Sequence, residues 1–120
     1  MPQPDPANIL VVDDDLDMLA LMAHALRAGG YRVRTASDAI EARKRLAQDR
    51  FELVVCDILM PGLSGRTFGQ QIAEEPDPPL LVFVSAADAL PGSLPGAFLK
   101  KPFRPEALLA VVREMLKRRR

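Results

Sequence analysis

The chain has one cysteine, no tryptophan, no excess of either charge and no long apolar run among its 120 residues. One cysteine excludes an internal disulfide framework and suits a reducing cytoplasm. Sixteen basic residues balance sixteen acidic ones, so no global field draws the chain to nucleic acid or to a membrane surface. No apolar stretch approaches the roughly 20 residues that span a bilayer, which excludes direct membrane insertion. The start, Met1-Pro2-Gln3-Pro4-Asp5-Pro6, lacks the basic and apolar regions of a secretory signal. Its prolines read as a stiff leader or linker over residues 1–7. There is no internal repeat and no low-complexity tract beyond that leader.

What remains, residues 8–120, is an ordinary globular composition, 48% hydrophobic and 27% charged in the whole chain. It is long enough for one core and too short for two. Ile9 to Val12 is short and continuously apolar, as a strand buried on both faces would be. Leu16, Leu19, Met22, Ala23 and Leu26 recur at helical spacing until Gly29-Gly30. Tyr31 to Thr35 alternates apolar with Arg32 and Arg34, the pattern of an edge strand. Ser37 is placed to cap a helix to about Asp49, with Ala39, Ala42, Leu46 and Ala47 inward. Phe51 to Cys56 is the central strand. Ser64 is placed to cap a helix through Phe68, Ile72 and Ala73, stopped by Pro76. Leu80 to Val84 and Ala97 to Lys101 are two more strands, and Pro105 opens a closing helix to Lys117.

Strands alternating with helices across short loops predict an α/β fold, a parallel sheet covered on both faces. The natural small version is a flavodoxin-like, doubly wound five-stranded sheet in the order 2-1-3-4-5. One crossover departs from that plan. Between Ser85 and Lys101, Pro91, Gly92, Pro95 and Gly96 leave room for one helical turn around Ala86 to Leu90. The fourth helix of a full set is therefore expected to be shortened or absent.

Four strand-like segments end on groups that handle phosphate or a divalent cation. The first delivers Asp13, Asp14 and Asp15, the third Asp57, the fourth Ser85 and the fifth Lys101-Pro102. An open parallel sheet binds ligands just beyond the carboxyl ends of its strands, so these groups would share one crevice. Clustered carboxylates repel and are costly to keep ionised. Hard oxygen ligands of this kind suit Mg²⁺ (or Mn²⁺), which takes one or two carboxylates plus phosphate. With the charge neutralised, Asp57 becomes a nucleophile able to form an acyl phosphate. Lys101 and Ser85 would bind phosphoryl oxygens as a point charge and a hydroxyl donor.

With Val-Val-Asp-Asp-Asp, Cys-Asp-Ile-Leu-Met-Pro-Gly, Val-Ser-Ala and Lys-Lys-Pro-Phe in this order, the chain resembles the receiver domain of two-component response regulators from about Asn8 to about Leu116. The resemblance implies that Asp14, Asp57 and the main-chain carbonyl of Leu59 ligate Mg²⁺, with Asp13 acting through water. It implies that Asp57 accepts phosphate from a histidine kinase or histidine phosphotransfer domain. It makes Ser85 and Phe98 the switch residues, and the Lys101–Pro102 bond cis. The only catalysis implied is the domain's own phosphorylation and dephosphorylation. The shortened crossover and the Phe-Leu-Lys-Lys-Pro-Phe-Arg-Pro-Glu-Ala-Leu-Leu ending look most like receivers attached to hybrid sensor kinases. That points to a cytoplasmic domain, free or within a membrane-anchored hybrid kinase, more than to a transcription factor.

Departures from the family pattern carry their own expectations. Phe98 lacks a hydroxyl, so any switching must work through packing. Leu59 and Ala87, two residues past Asp57 and Ser85, offer no polar group to orient water, which predicts slow self-dephosphorylation. Plainer readings cover other residues. Asp15 caps the first helix rather than binding metal; Lys100 is a solvated neighbour of Lys101; Cys56 is a buried small hydrophobe. His24 is exposed and no phosphodonor. Met18, Met22 and Met115 fill the core. Lys117-Arg118-Arg119-Arg120 complements a helix dipole rather than contacting nucleic acid. Two rival functions stand beside the main one. A haloacid-dehalogenase-type phosphohydrolase would share the Asp-x-Asp of Asp13 to Asp15 but needs a later acidic pair. A receiver-shaped docking module would never be phosphorylated.

Overall fold

The computed structural model describes residues 6–60, 64–86 and 94–119. Five strands, β1 (Asn8–Val12), β2 (Arg32–Ala36), β3 (Leu53–Asp57), β4 (Leu80–Ser85) and β5 (Ala97–Lys100), form one sheet. Every pairing is parallel and the order is β2-β1-β3-β4-β5, as the alternation of elements predicts. The helices are α1 (Leu16–Ala28), α2 (Ala39–Gln48), α3 (Gly65–Ala73) and α4 (Pro105–Arg118).

Side chains alternate across a strand, so the continuous apolar runs feed two cores at once. Ile9, Val11, Leu53, Val55, Val82 and Val84 pack with Leu19, Met22 and Leu26 of α1 and Leu108 and Val112 of α4. Leu10, Val12, Val54, Cys56, Leu81 and Phe83 pack on the other face with Ala42 of α2 and Phe68 and Ile72 of α3. Met18 and Met115 lie against the first core, so the methionines are filler as expected.

Caps and boundaries follow local chemistry with small corrections. Asp15 caps α1, accepting from the N–H groups of Asp17 at 3.1 Å and Met18 at 3.2 Å. Ser64 caps α3 through the Thr67 N–H at 3.2 Å, and Pro105 is the first residue of α4. The cap of α2 is Asp38 rather than Ser37, accepting from Glu41 N–H at 2.7 Å. Extended backbone persists one residue further than the alternation suggested, because Ala36 still pairs with β1. Leu16 and Ala47 are exposed rather than inward. Leu16 opens α1 beyond the end of β1, where neither core reaches it, and Ala47 lies in the last turn of α2.

Between β4 and β5, residues 87–93 lie outside the described residues. The single turn expected at 86–90 therefore falls largely outside them too, as do Ala87 and the Pro61-Gly62 pair. Among the described residues no helix connects these two strands.

The start of α3 is pressed onto the end of β3. Gly65 N–H donates to the Ile58 carbonyl at 2.9 Å, and a Cβ on Gly65 would stand 1.8 Å from the Asp57 carbonyl oxygen. Only glycine fits that approach. Gly65→Ala is expected to lower stability by roughly 1–3 kcal/mol, the usual range for overpacking against a rigid neighbour. Urea denaturation of the metal-free protein measures it, and an unchanged midpoint would contradict the contact.

Candidate functional site

Because all five strands run the same way, the carboxyl ends of β1, β3, β4 and β5 open on one side of the sheet. Asp13 follows β1 directly, and its N–H continues the ladder by donating to the Ala36 carbonyl at 3.2 Å. That register buries its carboxylate completely. Asp13 Oδ1 accepts from Asp15 N–H at 2.9 Å and Oδ2 from Lys101 Nζ at 2.9 Å. Asp57 is the last residue of β3 and is 6% exposed. Its Oδ1 accepts from Leu59 N–H at 3.2 Å, and its Oδ2 lies 3.4 Å from Lys101 Nζ.

One ammonium therefore stands between two carboxylates. It reaches them because Lys101 follows the last strand and its N–H donates to the Ser85 carbonyl at 2.8 Å. The peptide bond to Pro102 is cis. Ser85 ends β4 fully buried, in register with Lys100. Asp14, exposed, completes an acidic group in which Asp13, Asp14 and Asp57 each bring a carboxylate oxygen within 4.8 Å of the others.

The electrostatics follow from this packing. Burial, followed by the charge of Asp13, raises the Asp57 carboxyl to about 6, against the opposing pull of Lys101 and the Leu59 N–H. Burial alone would lower the Lys101 pKa, but hydrogen bonding and charge from Asp13, with Asp57 adding, carry it above its ordinary value. Three carboxylates against one ammonium leave a local excess of negative charge. The set is all hard oxygen, which fits a magnesium-like cation and not a soft metal.

Other residues singled out from the sequence divide clearly. Phe98 sits on β5 opposite Phe83 of β4 and is 37% exposed, a ring with room to change its packing. The Leu59 side chain is 64% exposed beside Asp57. Cys56 is buried, and burial raises its thiol, with Asp57 and Asp13 adding, so it stays an inert apolar residue. His24 is exposed on α1. Two residues of the basic end of α4 are engaged within the chain: Arg118 pairs with Glu114 at 3.1 Å, and Arg119 donates to the Glu52 carbonyl at 2.8 Å. Sequence reasoning missed the two backbone donors, Asp15 N–H and Leu59 N–H. They belong to turns two residues past each aspartate, a common local geometry that residue identity alone does not announce.

A family model for the response regulator receiver domain matches residues 9–113. Response regulator MprA of Mycobacterium sp. (strain KMS) is 38% identical over 119 residues, which cover 94% of this chain and 52% of that protein. The chain thus spans about half the length of the curated relatives it matches. Chemotaxis response regulator CheY4 of Vibrio cholerae superposes with a TM-score of 0.81 at 29% identity, covering 91% of this chain and 98% of that one. The receiver domain from the hybrid histidine kinase CckA gives 0.79 at 28% identity, covering 91% and 98%.

The raised Asp57 pKa has a consequence for stability. Its folded value of about 6 exceeds the ordinary 3.8, so the fold favours the protonated acid and is penalised as pH rises through that window. Asp57→Asn removes the penalty. In metal-free buffer the variant should be more stable than the parent at pH 7.5, and the gap should close towards pH 4. Urea midpoints at the two values check this, and a gap that widens on acidification overturns the sign.

Proposed function

The chain belongs to the response regulator receiver domain family, a signalling family whose members work with histidine kinases or phosphotransfer proteins, and we propose that Asp57 is its phosphoacceptor. The carrying observation is the convergence of Asp13, Asp14, Asp57 and Lys101 at the carboxyl end of the sheet. In this reading an Asp57 carboxylate oxygen attacks phosphorus, the donor's N–P bond breaks, and the leaving imidazole takes up a proton. The product is an acyl phosphate. Asp57 and Asp14, with the Leu59 main-chain carbonyl and Asp13 through water, would hold Mg²⁺ or Mn²⁺. That ion would neutralise charge between the carboxylates and the incoming phosphoryl group.

The remaining residues assist from where they already stand. Lys101 is anchored by Asp13 at 2.9 Å and close enough to Asp57 for its ammonium to bind a phosphoryl oxygen there. Asp13 would thus position Lys101 as well as reach the ion through water. The Ser85 hydroxyl would take a second phosphoryl oxygen, and a shift there would be relayed to β5 and Phe98 through packing. Leu59 brings no polar group to the acyl phosphate, so nothing from that position activates water.

Residues 8–120 are read as the receiver, with 1–7 as a leader or linker. Likeness to a hybrid-kinase receiver supports a domain attached to, or relaying phosphate for, a histidine kinase. The likeness to MprA keeps a longer response regulator in view. Either setting fits a cytoplasmic domain that acts on no substrate beyond itself. No helix among the described residues is long and apolar enough to cross a membrane.

Incubation with acetyl phosphate and Mg²⁺, followed by intact-protein mass spectrometry, should give one phosphoryl adduct. It should be absent without the metal and absent in Asp57→Asn. An adduct that survives in the variant removes Asp57 from the role, and no adduct under any condition favours a phosphorylation-independent docking module. The adduct should persist for many minutes at neutral pH. Decay within seconds would overturn the role given to Leu59.

A further inference from the structure

The β2 strand is one edge of the sheet, and an uncovered edge is a template for strand addition by a second chain. Which of its backbone groups face outward follows from the ladder. Arg32 N–H donates to the Ala7 carbonyl, and the Ala36 carbonyl accepts from Asp13 N–H. Arg32, Arg34 and Ala36 therefore turn their peptide groups towards β1. With the alternation of an extended strand, Val33 and Thr35 turn theirs to the open side.

Both outward carbonyls are taken, each by an arginine from the last turn of a different helix. Arg27 of α1 donates from Nη2 to the Val33 carbonyl at 2.9 Å. Arg45 of α2 donates from Nε to the Thr35 carbonyl at 3.2 Å. The two guanidiniums thus straddle the edge from opposite faces of the sheet. A second feature acts in the same direction. The simplest self-pairing of this edge is antiparallel about a two-fold axis at Arg34, exchanging hydrogen bonds between Val33 of one copy and Thr35 of the other. That register sets Arg34 directly opposite its own copy, and like charges so placed are destabilising. Arg34 is exposed, and its guanidinium makes no hydrogen bond or ion pair among the described residues.

We propose that Arg27 and Arg45 close the β2 edge against strand addition by a second copy of this chain, with Arg34 as a charge guard. Any association between copies must then use another face. The inference does not depend on phosphorylation of Asp57, which lies at the end of β3 and takes no part in these contacts.

The test uses the proposed register directly. In an antiparallel pair, directly opposed residues outside the hydrogen-bonded positions have Cα atoms about 4.5 Å apart, within disulfide range. The native Cys56 is buried and leaves the background low. Arg34→Cys alone removes the guard but keeps both caps. Arg27→Ala/Arg34→Cys/Arg45→Ala removes all three. With diamide as the oxidant, the triple variant should give at least ten-fold more disulfide dimer than Arg34→Cys on a non-reducing gel. Arg27→Ala/Arg34→Cys and Arg45→Ala/Arg34→Cys should fall between them, and they keep the test open should the triple variant not fold. Circular dichroism and a cooperative melt certify which variants are folded. Equal dimer yields in folded capped and uncapped proteins would overturn the proposal, as would no dimer in any folded uncapped variant.

Discussion

The position of Lys101 between Asp13 and Asp57 is the interaction on which the rest of this site depends. Two nearly buried carboxylates at the ends of neighbouring strands repel each other, and burial makes that repulsion stronger than it would be in water. The ammonium offsets part of it, at 2.9 Å from one and 3.4 Å from the other. It can do so only because β5 delivers Lys101 to the same end of the sheet. A single cation does not balance three acids, and the residual negative charge is of the kind that suits a hard divalent ion.

This arrangement constrains the fold as much as the fold constrains it. Asp13 has its amide tied to β2 and its carboxylate tied to the far side of the sheet through Lys101. Asp57 sits under the close approach of Gly65, with the Ile58 carbonyl bound by the first residue of α3. Asp13 and Asp57 are therefore both anchored by backbone hydrogen bonds, whereas the Phe98 ring is partly exposed. A phosphoryl group on Asp57 would redistribute the ammonium's contacts first, and β5 would feel the change through Lys101.

The opposite end and the rim of the sheet serve different needs. Arg119 at the end of α4 bonds the Glu52 carbonyl and lies 3.8 Å from Asp77, which also pairs with Arg50. These exposed pairs contribute little energy individually, yet they fix where α4 ends relative to the start of β3. At the β2 edge, arginines again bond to carbonyls, here on backbone groups that would otherwise recruit a strand. Arginine thus bonds sheet carbonyls at both places, capping the outward carbonyls of β2 and joining the Leu80 N–H on the Glu52 carbonyl.

Residue pattern alone specifies the elements, their order and the identities at the strand ends. Continuous apolar runs such as Ile9 to Val12 can satisfy themselves only between two helical layers, and they stop at polar residues (Asp13, Asp57 and Ser85) whose burial needs a partner. Local competition blurred the boundaries: Asp38 displaced Ser37 as cap because pairing with β1 carried β2 to Ala36. Leu16 faces outward because helical spacing cannot tell where a core ends. Which charges meet is settled by packing across the sheet. Lys101 takes Asp13 as its shorter partner, Arg27 and Arg45 find the outward carbonyls of β2, and burial pushes the Asp57 carboxyl up to about 6. Those outcomes depend on distances and burial between residues far apart in the chain, and such distances exist only once the parallel sheet has brought the strand ends together.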